Sequence, residues 1–199
     1  MMETLTGYLQ THSIELLGFL FGIIYVVLAI RENPWCWVAG IVNAGLYVWV
    51  FFKSRFYGAA GLQGIYLLMS VYGWFFWLGI GKKKEQAAPV VTHTPARGWP
   101  LLIALIAGGS VLFGALFSHT DNPIPWWDGI TTAMGLVATW MAARKYLENW
   151  LVWIVNDTLC TIIYASQGLY PTMALYLVLG IMAVVGYLHW RKNLISRIP

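Results

Sequence analysis

Long apolar runs separated by short polar breaks constrain this chain more than any other feature of its 199 residues. Read between charged or proline-bearing breaks, they give seven candidate helices at 14–30, 36–53, 58–80, 99–117, 126–143, 149–166 and 171–190. A bilayer core about 30 Å thick takes about 20 apolar residues per helix, which these runs match. Hydrophobic residues make up 59% of the chain and charged ones 10%, with a mean hydropathy of +0.66, and a soluble globular domain is thereby excluded. The expected fold class is all-α and integral to the membrane, with seven transmembrane helices in a single domain over residues 1–199.

The charges serve topology rather than recognition. A net charge of +4 suggests nucleic acid in a soluble protein, but these basic residues flank the apolar runs, so no nucleic-acid partner is expected. With seven spans, one side of the membrane holds Lys53 and Arg55, and the other holds Arg31, Lys82, Lys83, Lys84, Arg97, Arg144, Lys145, Arg191, Lys192 and Arg197. The positive-inside rule then puts the amino terminus outside and the carboxyl terminus in the cytoplasm of a bacterial inner membrane. Glu3 and Glu15 precede the first run with no Lys or Arg, so that run lacks the basic flank of a secretory signal. Cys36 and Cys160 form no CxxC or Cys/His cluster, so no metal, cofactor or disulfide framework is expected.

Sliding the chain against itself by 113 positions aligns Glu15–Trp77 with Asp128–Trp190 without a gap. Identities include Gly22/Gly135, Arg31/Arg144, Trp37/Trp150, Asn43/Asn156, Tyr57/Tyr170, Gly73/Gly186 and Trp77/Trp190, residue types that chance in an apolar chain does not favour. The reading is a first three-helix repeat at 14–80, a linking helix at 99–117 and a second repeat at 126–190. Corresponding helices are four spans apart and cross in the same direction, which makes the repeat parallel, about an axis along the membrane normal. Transporters place substrate at such repeat interfaces; the plain alternative is a scaffold enlarged by duplication.

Polar side chains within the spans mark where chemistry would reside. Asp157 lies seven residues after Trp150, roughly 10 Å into its helix at 1.5 Å per residue. No Lys or Arg lies at that depth in any span, so a cationic ligand is its natural partner. Trp150, Trp153, Asp157, Cys160 or Thr161, and Tyr164 recur at spacings of three and four and share a face. Aromatic walls around an acid suit a flat, positively charged ring. The competing reading has a protonated Asp157 bonded to Thr158, Thr161 or a neighbouring helix, with the tryptophans as an interfacial belt. The first repeat offers Asn43, Tyr47, Gln63, Tyr66 and Ser70, able to hold hydroxyls or an amide or to join helices. Asn156 matches Asn43, whereas Asp157 matches Ala44, which would make a shared cavity asymmetric. Glu15 and Asp128 stand in first helical turns, where acids favour the helix dipole, and Trp127 beside Asp128 is a candidate for an outer gate. The substrate-binding set is Asn43, Tyr47, Gln63, Tyr66, Trp127, Trp150, Trp153, Asn156, Asp157, Thr161 and Tyr164, with no catalytic or metal-binding residue.

GxxxxGK[ST], HExxH and GxSxG are absent, and no intramembrane cluster of nucleophile, base and metal ligands suggests a lipid-acting enzyme. Neither a buried charge ladder nor a histidine relay is present, so facilitated diffusion is the simplest mechanism; a substrate-capture subunit docked on an ATPase is the other non-enzymatic alternative.

The stretches PWWDGITTAMGLVATWMAARKYLENWLVWIVND, QGLYPTMALY and LYVWVFFKSRFYGAAGLQGIYLLMSVYGWFFW resemble the PnuC family of bacterial vitamin transporters. The resemblance implies a three-plus-one-plus-three bundle, similar in design to the SWEET sugar transporters and often a homotrimer. It implies passage of nicotinamide riboside, thiamine or riboflavin down a gradient across the lipid bilayer. A cytoplasmic kinase, coupled only through metabolism, then traps the vitamin by phosphorylation. The nicotinamide riboside carriers typically carry Asn at the position of Asp157; a carboxylate there tilts the expected substrate slightly toward thiamine, although both vitamins carry a cationic ring.

Overall fold

The computed structural model describes residues 17–80 and 89–195. The starts of the amino-terminal run and of the first repeat, Glu15, the lysines at 82–84 and Arg197 lie outside the described residues. Contacts divide the chain into two compact units, Met1–Ala88 and Pro89–Pro199. The first holds α1 (Leu17–Ile30), α2 (Trp35–Lys53) and α3 (Tyr57–Trp77). The second holds a 3-10 turn at Ala96–Gly98, then α4 (Trp99–Phe117), α5 (Pro125–Ala143), α6 (Asn149–Ser166) and α7 (Tyr170–Ile195). The helix expected to link two repeats thus packs with the second.

Four segments are long and apolar enough to cross a bilayer by length and composition: Trp35–Lys53, Tyr57–Trp77, Ala96–Phe117 and Tyr170–Ile195. The described part of α1 is shorter. α5 and α6 are long enough, but Asp128, Thr131, Thr132 and Thr139 dilute the first, and Asn149, Asn156, Asp157, Thr158 and Thr161 the second. The two helices with the most polar interiors are those that carry the candidate site.

Helix ends explain where the boundaries differ from expectation. α3 stops at Trp77 instead of 80 because Gly79 takes φ 67°, letting Gly79 N donate to Phe76 O and Ile80 N to Phe75 O. This paired closure satisfies carbonyls that the helix end would otherwise orphan. α7 runs on to Ile195 because Arg191, Lys192 and Asn193 contain no breaker and cations favour a helix C-terminus. The same closure ends α1, α2, α5 and α6, at Glu32 (φ 54°), Arg55 (φ 64°), Lys145 (φ 56°) and Gly168 (φ 71°). Glu32 and Lys145 are 113 positions apart, as are Arg55 and Gly168.

Packing within each unit rests on small residues that admit large rings. In the first unit, the Trp37 ring lies so close to Gly73 that an added Cβ would fall 2.5 to 2.7 Å from three of its atoms. Trp37 also meets Trp77 edge to face, centroids 5.6 Å apart at 87°. In the second unit, a Cβ on Gly186 would fall 2.7 Å from three Trp150 atoms, and Trp150 meets Trp190 at 5.5 Å and 88°. The four tryptophans are 0 to 4% exposed. α4 and α5 approach closely at Gly114 and Gly129, where a Cβ on Gly129 would strike the Gly114 backbone. Toward the other end, Leu102, Val137 and Met141 form a buried cluster joined by Ile106, Tyr146 and Val152.

Residues before α4 bind across the α5–α6 turn. Thr92 N donates to Lys145 O at 3.0 Å and Leu147 N to Thr92 O at 2.9 Å. The Glu148 carboxylate accepts from Thr94 N and Thr94 Oγ1, both at 2.7 Å, and faces His93 Nδ1 at 2.6 Å. Partial burial alone would raise the Glu148 pKa, but the bonds from His93, Thr94 and its own backbone outweigh it and hold the group below its usual 4.5.

Candidate functional site

One face of α6 carries most of the expected site, and the structure shows what each position meets. Trp150, Asp157 and Tyr164 recur every seven residues along α6, and each meets α7. Trp150 packs on Gly186 and Trp190, Asp157 on Gly180, and Tyr164 stacks on Tyr176 with centroids 5.3 Å apart at 18°. The antiparallel helices therefore form three successive rungs: a tryptophan frame, a carboxylate beside a glycine, and a tyrosine pair. Asp157 is 4% exposed and faces a neighbouring helix.

Asn156, the preceding residue on α6, is also 4% exposed, and its Oδ1 is buried without a partner. A buried, unmatched acceptor is costly, and Asn156 shares that state with Asn149 Oδ1 and with the indole N–H groups of Trp37 and Trp150. The hydroxyls that could have neutralised Asp157 locally are directed elsewhere. Thr158 donates to Ile154 O and Thr161 to the Asp157 backbone oxygen, each at 2.7 Å. These are the back-bonds of hydroxyls in a helix interior. Thr161 is therefore tied into its own helix, and Trp153 is half-buried.

α5 supplies the other wall in this unit. Thr131 of α5 lies near the buried Cys160 thiol of α6 and back-bonds to Trp127 O and Asp128 O at 3.1 and 3.2 Å. Asn122 Nδ2 donates to Asp128 Oδ2 at 2.6 Å, fixing the acid in the first turn. Trp127 stands one turn before Thr131 on the same face and is 49% exposed.

The first-unit candidates are tied into helix packing. Asn43 Nδ2 donates to Gly18 O at 2.6 Å, joining α2 to α1. Tyr47 lies over Gly18 and stacks on Phe51, with centroids 5.7 Å apart at 24°. Tyr66 lies near Tyr25 of α1. Gln63 is half-buried on α3, and Ser70 lies against Gly40. An apolar groove of about 420 Å³ between α4 and α5, lined by residues such as Leu102, Gly109, Phe113 and Trp140, includes none of the expected site residues. Among the described residues, no group of three or more His, Cys, Asp or Glu is placed to hold a metal.

Gly180 and Tyr176 escaped the sequence reading. The antiparallel pairing of α6 and α7 would have found them, since the Trp150–Gly186 match sets the register that brings Asp157 to Gly180.

Comparison with known proteins accords with this architecture. Nicotinamide riboside transporter PnuC of Escherichia coli strain K12 is 24% identical over 202 residues, covering 89% of this chain and 84% of its own. PnuC of Haemophilus influenzae is 26% identical, covering 94% and 83%. Riboflavin/roseoflavin transporter RibM of Streptomyces davaonensis is 27% identical, covering 88% and 83%. The crystal structure of the vitamin B3 transporter PnuC superposes with a TM-score of 0.71 at 22% identity, covering 96% of this chain and 85% of that one, and so shares the fold. Residues 12–192 match the nicotinamide mononucleotide transporter family, so the chain belongs to that family, the family of the PnuC vitamin transporters, and is a multi-pass membrane transporter and not an enzyme.

Proposed function

We propose that the chain is a facilitative carrier of a vitamin with a cationic ring, which it passes across the bacterial inner membrane without ATP. The observation that carries the reading is Asp157, buried on α6 beside Gly180, with Asn156 next to it and no hydroxyl of its own helix neutralising it. A carboxylate in hydrocarbon costs a few kcal/mol unless paired, and a cationic ring supplies the pair. Asp157 counters the charge, Trp153 and Trp127 supply flat surfaces, and the amide of Asn156 holds a polar substituent. Thr161 and Tyr164 complete the candidate set of the second unit, with Trp150 framing it, and Asn43, Tyr47, Gln63 and Tyr66 are the candidates of the first.

Nicotinamide riboside is the best-supported substrate, because relatives bearing that name align over most of the chain. Thiamine is the second reading, favoured by the acid where the nicotinamide riboside carriers typically have an amide. The RibM relative shows that membership alone does not choose the vitamin. Seven spans in a parallel three-plus-one-plus-three arrangement, an outside amino terminus, a homotrimer and trapping by a cytoplasmic kinase belong to the same proposal. The helix closures and Trp–Gly–Trp packing that recur 113 positions apart support the duplication, and rocking of one repeat against the other would give alternating access.

Thermal-shift and calorimetric titration of the purified protein with nicotinamide riboside, thiamine and riboflavin tests the reading, because a bound ligand raises apparent stability. The two cations are expected to bind and Asp157→Ala to abolish their binding with the protein still folded. Unchanged affinity in that variant rejects the role of Asp157. Uptake into liposomes containing only this protein, without ATP, separates a carrier from a capture subunit.

A further inference from the structure

The same frame holds α2 to α3 in the first unit and α6 to α7 in the second: Trp37–Gly73–Trp77 in one and Trp150–Gly186–Trp190 in the other. With the frames in register, the positions between them are comparable residue by residue. Asp157 and Gly180 of the second unit correspond to Ala44 and Leu67 of the first. At the positions where the first unit carries Ala and Leu, the second carries Asp and Gly, and there Gly180 lies against the Asp157 Cβ.

This exchange has a simple packing explanation: Ala to Asp adds three heavy atoms and Leu to Gly removes four, so the glycine could merely make room for the acid. The geometry points to more. A Cβ built on Gly180 would meet only one heavy atom within 4 Å, the Asp157 Cβ at 3.5 Å, an ordinary contact. On Gly186 a Cβ would meet three Trp150 ring atoms at 2.7 Å. Gly180 also keeps partial exposure while Asp157 beside it is buried. A side-chain carbon at Gly180 is therefore accommodated beside Asp157 where one at Gly186 is not, and the unpartnered Asn156 Oδ1 lies on the adjacent residue of α6.

We propose that Gly180 determines which ligands this transporter accepts: it leaves a flat backbone surface beside Asp157 against which a planar cationic heterocycle lies, and any side chain there narrows the site. The proposal rests on the reading of Asp157 as the partner of the cation. Gly180 acts through shape, since it offers no side chain to bind with, and its effect scales with ligand size. One carbon in a fitted pocket changes affinity by roughly 10- to 200-fold.

The test is a calorimetric titration of Gly180→Ala, Gly180→Leu and Asp157→Ala with two probes, thiamine and the smaller single-ring cation N-methylnicotinamide. Gly180→Ala is compatible with the fold because its added carbon makes only the ordinary contact at 3.5 Å. It should bind thiamine about tenfold or more weakly and N-methylnicotinamide distinctly less affected. Gly180→Leu, which installs the first unit's residue, should bind neither. Wild-type affinity for both probes in Gly180→Ala, or equal losses for both, overturns the proposal whether or not Gly180→Leu folds. Asp157→Ala is the separating arm. Retained binding there overturns the charge-partner reading itself, while lost binding there with unaltered Gly180→Ala overturns only the role of Gly180.

Discussion

Gly186→Ala should destabilise the second unit, and its cost follows from one contact. The new Cβ would stand 2.7 Å from three atoms of the Trp150 ring, whereas carbon atoms pack best at about 3.5–4.0 Å. The ring must retreat by roughly 1 Å, yet Trp150 is 4% exposed and held edge-on by a Trp190 that is fully buried. Overpacking of this kind costs about 1–3 kcal/mol and disturbance of the aromatic pair about 0.5–1.5. The better helix propensity of alanine returns at most about 1, leaving a net loss near 2 kcal/mol. Gly180→Ala is the control on the same helix: its single contact at 3.5 Å predicts a neutral or slightly stabilising change. Cys36 and Cys160 are both buried, so a thiol-reactive dye reports unfolding of the detergent-purified protein on heating. Gly186→Ala should melt well below Gly180→Ala, and Gly73→Ala, against Trp37, should lose a similar amount. If Gly186→Ala melts at or above the control, the tryptophan does not hold the helices as argued.

Glu148→Gln should release the residues before α4 from the α5–α6 turn, because an uncharged amide cannot replace a carboxylate taking bonds worth about 1.5–3 kcal/mol each; trypsin should then cut several-fold faster at Arg97. The Glu148 pKa is depressed by folding, so its contribution is present above the usual 4.5 and is lost as pH falls through the lower folded value: the Thr92 and Leu147 amides of the wild type should stay protected from hydrogen exchange through the neutral range and lose protection, after correction for intrinsic rates, only in acid. Asn43→Ala removes the bond to Gly18 O and should cost about 1 kcal/mol in thermal unfolding, and no loss would mean that α1 is held by Tyr47 and its neighbours alone. Arg55→Gly should stabilise by about 1 kcal/mol, since Arg55 holds φ 64° at a considerable steric cost and its counterpart Gly168 already has the permissive residue; a fall in melting temperature would show that the Arg55 side chain matters more than its backbone.

Features that are local or periodic were legible in the sequence, and features made by distant or subtle partners were not. The apolar runs predicted every helix, and the spacing of Trp150, Asp157 and Tyr164 predicted a common face, because both depend on the 3.6-residue period alone. The closures at Glu32, Arg55 and Lys145 left no trace, since the usual sign of such a turn is glycine and none stands there. The clasp of Glu148 by Thr94 joins residues more than fifty positions apart that share no pattern. Gly180 was overlooked for a different reason. Comparing the repeats for identities draws attention to what they share, and Gly180 carries its information by differing from Leu67.

Under the proposed function, that difference bears on how a duplicated frame would serve an asymmetric solute. The helix ends in both units are tied by tryptophan on glycine, contacts that gain from dispersion and need no charge. At mid-helix the units part: Ala44 with Leu67 is apolar, and Asp157 with Gly180 is acidic. A buried carboxylate is stable only while something compensates it, and the neighbouring Asn156 amide carries no charge. A second carboxylate at Ala44 would add another desolvation cost that a ligand with one positive ring could not offset, and would leave the loaded carrier negative within the membrane. A single acid matched to a single cation instead makes the loaded site neutral, the condition under which a repeat can move through hydrocarbon at least electrostatic cost. If Asp157 is the partner of the cation as proposed, the departure from symmetry at Asp157 and Gly180 is what would allow the frame to carry a charged molecule.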